Sequence, residues 1–145
     1  MLLSGEMLTA QRLNRLQPRP SNAVGTSNLV LSTSEADIVG ASITATTETP
    51  GAYYVATANF AFDIATATTA FALGVCQLDG VSLTGNARWS GEVGTDFGEA
   101  SFQWRGPVGA AGSHTWKLRA SMSAGTNITV IAAFTTLIVT IYEDV

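Results

Sequence analysis

The segment from Ser113 to Met122 alternates apolar and polar side chains, and this period of two constrains the fold more than any other feature of the sequence. One face of the segment carries His114, Trp116, Leu118, Ala120 and Met122. The other face carries Thr115, Lys117, Arg119 and Ser121. Because successive side chains of a β-strand point to opposite faces of a sheet, the pattern predicts a strand with one face in a core and the other in water.

The same alternation recurs along most of the chain. Between Ala52 and Ile64 one face is apolar and carries Tyr54, Ala56, Ala58, Phe60 and Phe62. The dipeptide Asp79-Gly80 follows another apolar run and is typical of a two-residue hairpin turn. Roughly seven to nine short strands separated by turn residues predict an all-β fold, a jelly-roll-type antiparallel sandwich.

The C-terminal stretch from Asn127 to Glu143 is rich in β-branched residues and apolar on both faces. Such residues suit a strand that is covered on one side by a second sheet and on the other by a neighbouring subunit. The sequence leaves open whether this stretch forms two strands that turn near Ala132–Thr135 or one bent strand.

The N-terminus has a different pattern. Leu8, Leu13 and Leu16 fall near helical spacing, and Pro18 and Pro20 end any helix. A helix of two turns is not stable alone in water, so it must dock on its own domain or on another molecule. We therefore predict a short helical arm over residues 1–20, a linker over 21–27 and a β domain over 28–145.

The arm also differs in charge from the rest of the chain. Three of the seven basic residues lie in it, Arg12, Arg15 and Arg19, against one of the eleven acidic residues, Glu6. These arginines either meet an acidic partner surface or solvate a mobile tail, and the sequence does not decide between the two.

Overall composition indicates which partners to expect. The net charge is −4 and no basic stripe exists to neutralise phosphates, so we expect no nucleic-acid partner. Charged residues make up only 12% of the chain and hydrophobic ones 46%, which favours a surface partly covered by other subunits over a weakly charged monomer.

Two further features concern the compartment. The most apolar stretch, Ile128–Tyr142, is too short for a membrane helix, and Glu6 interrupts the brief apolar start where a signal peptide would lie. Cys76 is the only cysteine and has apolar neighbours, which predicts a buried thiol. We expect a protein made in the cytoplasm, without a membrane partner.

Catalytic and metal-binding patterns are weak. A zinc site needs three or four ligands, and His114 and Cys76 do not supply them. The acidic residues that could bind calcium or form a glycosidase pair are scattered over turns; they are Asp63, Asp79, Glu92, Asp96 and Glu99. We expect no enzyme activity, no cofactor and no metal, and we expect His114 to be buried and neutral with one hydrogen bond.

One tryptophan is a candidate for ligand binding. Trp89 lies in the polar, Gly-flanked stretch 86–91, so its ring could face a ligand such as a host surface glycan. Packing of the same ring against the domain or a neighbouring subunit is the alternative that the composition favours. Trp104 and Trp116 alternate inward and are predicted to lie in the core.

Four segments resemble proteins of a known type, and they are Gly5–Pro18, Leu78–Val81, Ala110–Ala120 and Thr135–Glu143. Together they resemble tailed-phage virion proteins with a trimeric jelly roll of the C1q and tumour-necrosis-factor type. The resemblance covers nearly the whole chain. It implies a homotrimer with the C-terminal strands near the threefold axis and an N-terminal arm that grips the particle.

The resemblance therefore implies a function. We expect a non-enzymatic subunit of a bacteriophage particle, a trimeric decoration or minor tail protein located in the virion. Its arm would bind capsid or tail proteins through Leu8, Arg12, Leu13, Arg15, Leu16 and Arg19. The alternative is a receptor- or carbohydrate-binding module that uses loops at one end of the trimer.

Overall fold

A computed structural model describes residues 10–91 and 94–144 of the chain. One helix, α1, spans Ala10–Leu16. The strands that follow it in the described residues are β1 (Arg19–Val24), β2 (Leu29–Val30), β3 (Ala36–Thr47), β4 (Tyr53–Ile64), β5 (Ala72–Leu78), β6 (Val81–Ser82), β7 (Ala87–Trp89), β8 (Phe97–Pro107), β9 (Gly112–Met122), β10 (Ile128–Val130) and β11 (Thr136–Tyr142). A turn of 3-10 helix, Ala132–Phe134, separates β10 from β11. No helix among these residues is long and apolar enough to cross a membrane.

The strands form two antiparallel sheets that pack face to face. The first sheet has the order β1-β11-β4-β8. β10 pairs with β4 on the same edge as β11, and β2 pairs with β10. The second sheet has the order β3-β9-β5, with β6 and β7 both on the outer edge of β5. The long strands alternate between the sheets along the chain, from β3 through β4, β5, β8 and β9 to β11. This is a jelly-roll sandwich, so the predicted fold class is confirmed.

The core lies between the sheets and includes most of the side chains that the alternation assigned to it. β4 contributes Tyr54, Ala56, Ala58, Phe60 and Phe62, and none of these residues is more than 3% exposed. Trp116, Leu118, Ala120 and Met122 of β9 and Trp104 of β8 are buried against it. Cys76 is buried as well, so the expectation for this thiol is confirmed.

The C-terminal stretch forms two strands that lie in line on one edge of β4. Val130 of β10 pairs with Phe62, and Thr136 of β11 pairs with Asn59. The residues between them leave the ladder as the 3-10 turn. The hydroxyl of Thr135 holds this turn in place, because it accepts a hydrogen bond from the Ala61 amide at 3.2 Å and donates one to the Ile131 carbonyl at 3.1 Å.

The predicted linker over residues 21–27 is wrong. Residues 19–24 form β1, which pairs with β11 along its whole length, from Arg19 with Ile141 to Val24 with Thr136. Pro20 is tolerated because β1 is an edge strand, where a missing N–H need not cost a ladder hydrogen bond. The amides of Gly25 and Thr26 continue the connection, to the carbonyls of Thr135 and Val39. The sandwich thus begins at Arg19, and the arm is shorter than predicted.

Tight packing of small against large residues in the core can be tested at Gly74. A Cβ atom at this position would lie 2.6 Å from the Phe60 ring. We expect Gly74→Ala to lower the free energy of unfolding by about 1–3 kcal/mol, because overpacking forces the ring or the backbone to move. Urea denaturation measures the change.

Gly109→Ala is the matched control. A Cβ atom at Gly109 would have no atom within 4 Å. We expect this variant to stay within about 0.5 kcal/mol of the wild type. Equal stability of the two variants would contradict the packing described for Gly74.

Candidate association surface and arm

The outward face of the first sheet presents its side chains in rows across four strands. Read from β1 to β8, three rows are Val24, Thr136, Asn59 and Ser101; Asn22, Ile138, Thr57 and Gln103; and Pro20, Thr140, Val55 and Arg105. The fourth row begins at β11 and consists of Tyr142, Tyr53 and Pro107. We call these rows the association face. Arg105 is the only charged side chain in them.

Exposed apolar side chains are concentrated on this side of the sheet. Of the eleven large apolar residues that are exposed in the described part of the chain, four belong to the association face: Val24, Tyr53, Ile138 and Tyr142. Three more lie on the same side of the sheet at or beyond the 3-10 turn, namely Val30, Phe97 and Phe134, where the charged Asp63 and Glu99 also face outward. Phe97 and Phe134 form an edge-to-face pair with ring centroids 6.1 Å apart. Exposed apolar side chains are therefore concentrated on one side of this sheet, which is typical of an interaction surface.

The outward face of the second sheet has the opposite character. Asp37 of β3 accepts hydrogen bonds from Lys117 Nζ at 2.8 Å and from Arg119 Nε at 2.9 Å. Arg119 also pairs with Glu35, at 3.1 Å. These charges are partly exposed and keep this face well hydrated. The contrast between the two faces indicates which of them is suited to burial against another protein.

Polar groups on the association face already have partners within it. Gln103 Nε2 donates to Thr57 Oγ1 at 3.2 Å, and Ser101 Oγ donates to Asn59 Oδ1 at 2.8 Å. Asn59 Nδ2 donates in turn to the Phe134 carbonyl at 3.3 Å. Burying a polar group is costly mainly when it loses its hydrogen bonds, so these cross-strand pairs reduce the cost of covering this face.

Helix α1 lies beside the turn between β3 and β4. Arg15 Nε lies 2.9 Å from Glu48 Oε2, and this is an ion pair within the chain. Leu13 and Leu16 are 46% and 41% exposed, so their predicted apolar surface is available to a partner. Leu8 and the side chain of Arg12, also predicted as anchoring residues, lie outside the described residues.

Arg19 also pairs within the chain, with Glu143 at the end of β11. The Glu143 carboxylate is fully buried and accepts hydrogen bonds from the β3–β4 turn. It accepts hydrogen bonds from the amides of Glu48 and Thr49, both at 3.0 Å, and from the Thr49 hydroxyl at 2.7 Å. Arg19 Nη2 donates to the Thr46 carbonyl as well, at 3.0 Å. This network joins β1, β11 and the β3–β4 turn at one end of the sandwich.

We call this end of the sandwich the arm end, and it also contains the turns at 79–80 and 107–112.

Sequence reasoning missed Glu143 as a structural residue. The sequence did contain a signal, which was a carboxylate at the end of an apolar strand. A carboxylate that is buried there requires a partner. The partner, Arg19, is distant in sequence and was assigned to the arm.

Hydrogen bonding controls the ionisation of Glu143. Burial raises the pKa of this carboxyl, but the hydroxyl of Thr49, the amides of Glu48 and Thr49 and the charge of Arg19 outweigh burial and lower it. A carboxylate whose pKa is lowered by folding stabilises the protein above its unfolded pKa, and this contribution is lost as the pH falls through the lowered value.

Trp89 does not present a free ring to a ligand. Its ring stacks on Phe62 of the core, with centroids 5.8 Å apart and an interplanar angle of 16°. Gly98, the cross-strand neighbour of Phe62 on β8, makes room for the ring, because a Cβ atom there would overlap the Trp89 indole. Packing against the domain, the alternative that the composition favours, therefore describes Trp89 better than a ligand-facing ring. The polar neighbours of Trp89 gave no sign of this contact.

His114 also differs from expectation. Both ring nitrogens have acceptors: Asp79 Oδ2 lies 2.7 Å from Nδ1, and the Ala110 carbonyl lies 2.8 Å from Nε2. The ring therefore has two hydrogen-bonding partners rather than the expected one, and the hydrogen bond to Asp79 raises the pKa of the imidazole. No group of three His, Cys, Asp or Glu side chains suited to a metal converges in the described ranges. Glu92, one of the predicted candidates, lies outside them.

The network around Glu143 can be tested by Glu143→Gln. The amide group of the glutamine would face donors that now point at a carboxylate, so we expect the free energy of unfolding to fall by about 1–3 kcal/mol at neutral pH. The difference from the wild type should persist down to about the ordinary carboxyl pKa of 4.5 and shrink as the pH falls further. Urea denaturation over a pH series measures it.

Glu48→Gln is the matched control for this prediction. Glu48 lies in the same turn, but its side chain is 52% exposed and pairs with Arg15 of the arm. We expect a loss below about 1 kcal/mol. A Glu143→Gln variant no less stable than Glu48→Gln would show that the buried carboxylate does not hold the arm end together.

The sequence and the structure of the chain differ in how far they resemble known proteins. The sequence matches no protein-family model and no curated protein. The structure is similar to that of murine APRIL, with a TM-score of 0.53 and 6% identity over 86% of this chain and 98% of that one.

Two other solved structures are more distantly similar. Eiger TNF from S. frugiperda has a TM-score of 0.49 and 8% identity over 86% of this chain and 92% of that one. A structure of infectious bursal disease virus, Gt strain, has a TM-score of 0.47 and 12% identity over 89% of this chain and 38% of that one. At such low identity the likeness to murine APRIL shows the fold alone, and that fold is a jelly roll of the expected kind.

Proposed function

We propose that the chain is a non-enzymatic structural subunit of a bacteriophage particle, a homotrimer that decorates the outer surface of the head or tail. The observation that carries this proposal is the association face. It combines exposed apolar side chains with hydrogen-bonded neutral polar ones and has a single charge, Arg105, whereas the opposite sheet is charged. A second and a third copy of the chain are the occupants that we propose for it.

Threefold symmetry fits the placement of this face. β11 lies in its middle, between β1 and β4, and carries the exposed Ile138 and Tyr142. The sequence resemblance to trimeric virion jelly rolls implies C-terminal strands near the axis. In a closed ring each copy contacts its two neighbours through different patches, so a broad face is needed rather than one small patch.

We further propose that the arm binds the particle. Arg15 and Arg19 are paired with acids of the same chain, so apolar contact by Leu13 and Leu16 carries the anchoring, together with Leu8 and Arg12 upstream. Three arms held by one trimer act at high effective concentration, which strengthens attachment without requiring a tight single contact.

The proposed absence of catalysis is supported by the state of the reactive side chains. Burial raises the pKa of the Cys76 thiol to about 12, so it is a poor nucleophile near neutral pH. Both nitrogens of His114 and the Glu143 carboxylate are occupied by structural partners. We propose the virion as the location of the protein, after synthesis in the host cytoplasm.

The rival function, a receptor- or carbohydrate-binding module, is not favoured by any described residue. It would use loops at one end of the trimer, and the aromatic ring that was its candidate contact, Trp89, stacks on Phe62 of the core.

The association face can be tested by Ile138→Lys. A lysine at the centre of an apolar interface must lose its hydration or hold the subunits apart, so we expect the variant to be a monomer. The wild type should have three times the monomer mass of 15.1 kDa. Light scattering after size exclusion measures both masses.

Val81→Lys is the control for this variant. Val81 is 70% exposed and lies on β6 of the other sheet, so the same substitution there should leave the mass of the trimer unchanged. A wild type that runs as a monomer, or an Ile138→Lys variant that stays trimeric, would refute the proposed interface.

The arm can be tested with a chain that begins at Gln17. This truncation keeps β1 and the Arg19–Glu143 pair intact. We expect it to remain trimeric but to lose co-sedimentation with phage particles that lack the chain. Attachment that survives the truncation would show that the arm is not the anchor.

A further inference from the structure

A groove opens between the two sheets along the free edge of β8. Its volume is about 500 Å³. One wall follows the β5–β6 hairpin and contributes Leu78 and Leu83, and the other wall is β8, which contributes Phe102 and Trp104. Trp104 Nε1 donates to the Gly85 carbonyl at 3.0 Å, so a hydrogen bond joins the two walls there.

A second connection between the walls lies at the arm end. Asp79 follows Leu78 at the tip of the hairpin, and the turn at 107–112 continues from Pro107, which also lines the groove. His114 lies between the two turns. Its Nδ1 is 2.7 Å from Asp79 Oδ2 and its Nε2 is 2.8 Å from the Ala110 carbonyl.

The two contacts need a doubly protonated ring. A carboxylate oxygen and a backbone carbonyl oxygen are both acceptors only, and a neutral imidazole has one N–H to donate. Both hydrogen bonds are therefore made by the imidazolium. In the neutral form one nitrogen presents a lone pair to an oxygen, and that contact becomes repulsive.

The surroundings of His114 leave Asp79 as the charged group that governs it. Ala45 lies opposite His114 on β3, and Trp116 lies against the ring, with centroids 6.3 Å apart. The hydrogen bond from Asp79 raises the pKa of His114.

Neither of the other nearby titratable groups changes charge with His114. Burial raises the pKa of Asp79, but hydrogen bonds from His114 and from the Thr115 amide outweigh burial and lower the pKa below its ordinary value. Asp79 therefore stays ionised. Tyr54 packs on Trp116 from β4, and burial raises its pKa, so it stays neutral.

We propose that His114 is a proton-controlled latch that ties the two walls of the groove together at the arm end. The latch is closed while the ring is an imidazolium. As the pH rises through the titration of His114, the ring keeps the N–H that faces the Asp79 carboxylate and loses the one that faces Ala110. The turn at 107–112 is then released, and the groove can widen on the β8 side.

The titration itself is simple to observe, because the chain contains a single histidine. We expect the NMR titration midpoint of the imidazole in the full chain to lie above the ordinary value of 6.5. The Trp104 indole N–H, which lies in the groove, should shift with the same midpoint.

Amide exchange reports the release of the turn. The Gly51 amide donates to the Gly109 carbonyl at 2.9 Å, whereas the Thr26 amide donates to Val39 at the other end of the molecule. We expect the protection factor of Gly51 to fall about tenfold between one pH unit below and one above the midpoint, and that of Thr26 to stay constant.

Three variants separate the latch from a general effect of pH. Asp79→Asn should lower the midpoint of His114 to 6.5 or below, and His114→Gln should abolish the step in Gly51 protection. Thr44→Ala, which removes a 2.9 Å hydrogen bond to Thr115 on the outward face of the same strand pair, should leave the step unchanged. A wild-type midpoint at or below 6.5, an absent step, or a step that persists in His114→Gln would overturn the proposal.

Discussion

Strand β4 carries both surfaces on which the molecule depends, because each residue that fills the core is followed by one that faces outward. Tyr54, Phe60 and Phe62 point inward and are almost completely buried. Tyr53, Val55 and Thr57 point outward and form the middle of the association face. A shift of β4 by one residue would exchange the two sets, so the core and the outward face are specified by the same alternation.

Three polar arrangements then hold parts of this sandwich together. At the arm end the buried Glu143 carboxylate joins the first strand, the last strand and the β3–β4 turn, and His114 joins two further turns. Part-way along β4 the Thr135 hydroxyl secures the 3-10 turn between β10 and β11. These groups are buried or nearly so, and their value lies in satisfied hydrogen bonds rather than in exposed ion pairs.

The sequence predicted the strands and the core because alternation is a local signal. The alternate residues of β4 and β9 could be assigned to the interior without knowledge of any partner strand. Contacts between distant residues could not be found in this way: Arg19 was assigned to an arm because Glu143 lies at the other end of the chain. Trp89 was a candidate for an exposed ring because its neighbours are polar, and no local pattern reveals that Gly98 on another strand makes room for this ring.

The most direct test of the account is hydroxyl-radical footprinting of the full chain at the concentration at which it assembles. Tyr53 and Tyr142 are each 42% exposed in the single chain and lie side by side on β4 and β11. The account predicts that both are strongly protected in the native protein and become reactive on dilution to monomer, while Val39, away from the association face, reacts equally in both states. Full reactivity of both tyrosines in the native protein would contradict it.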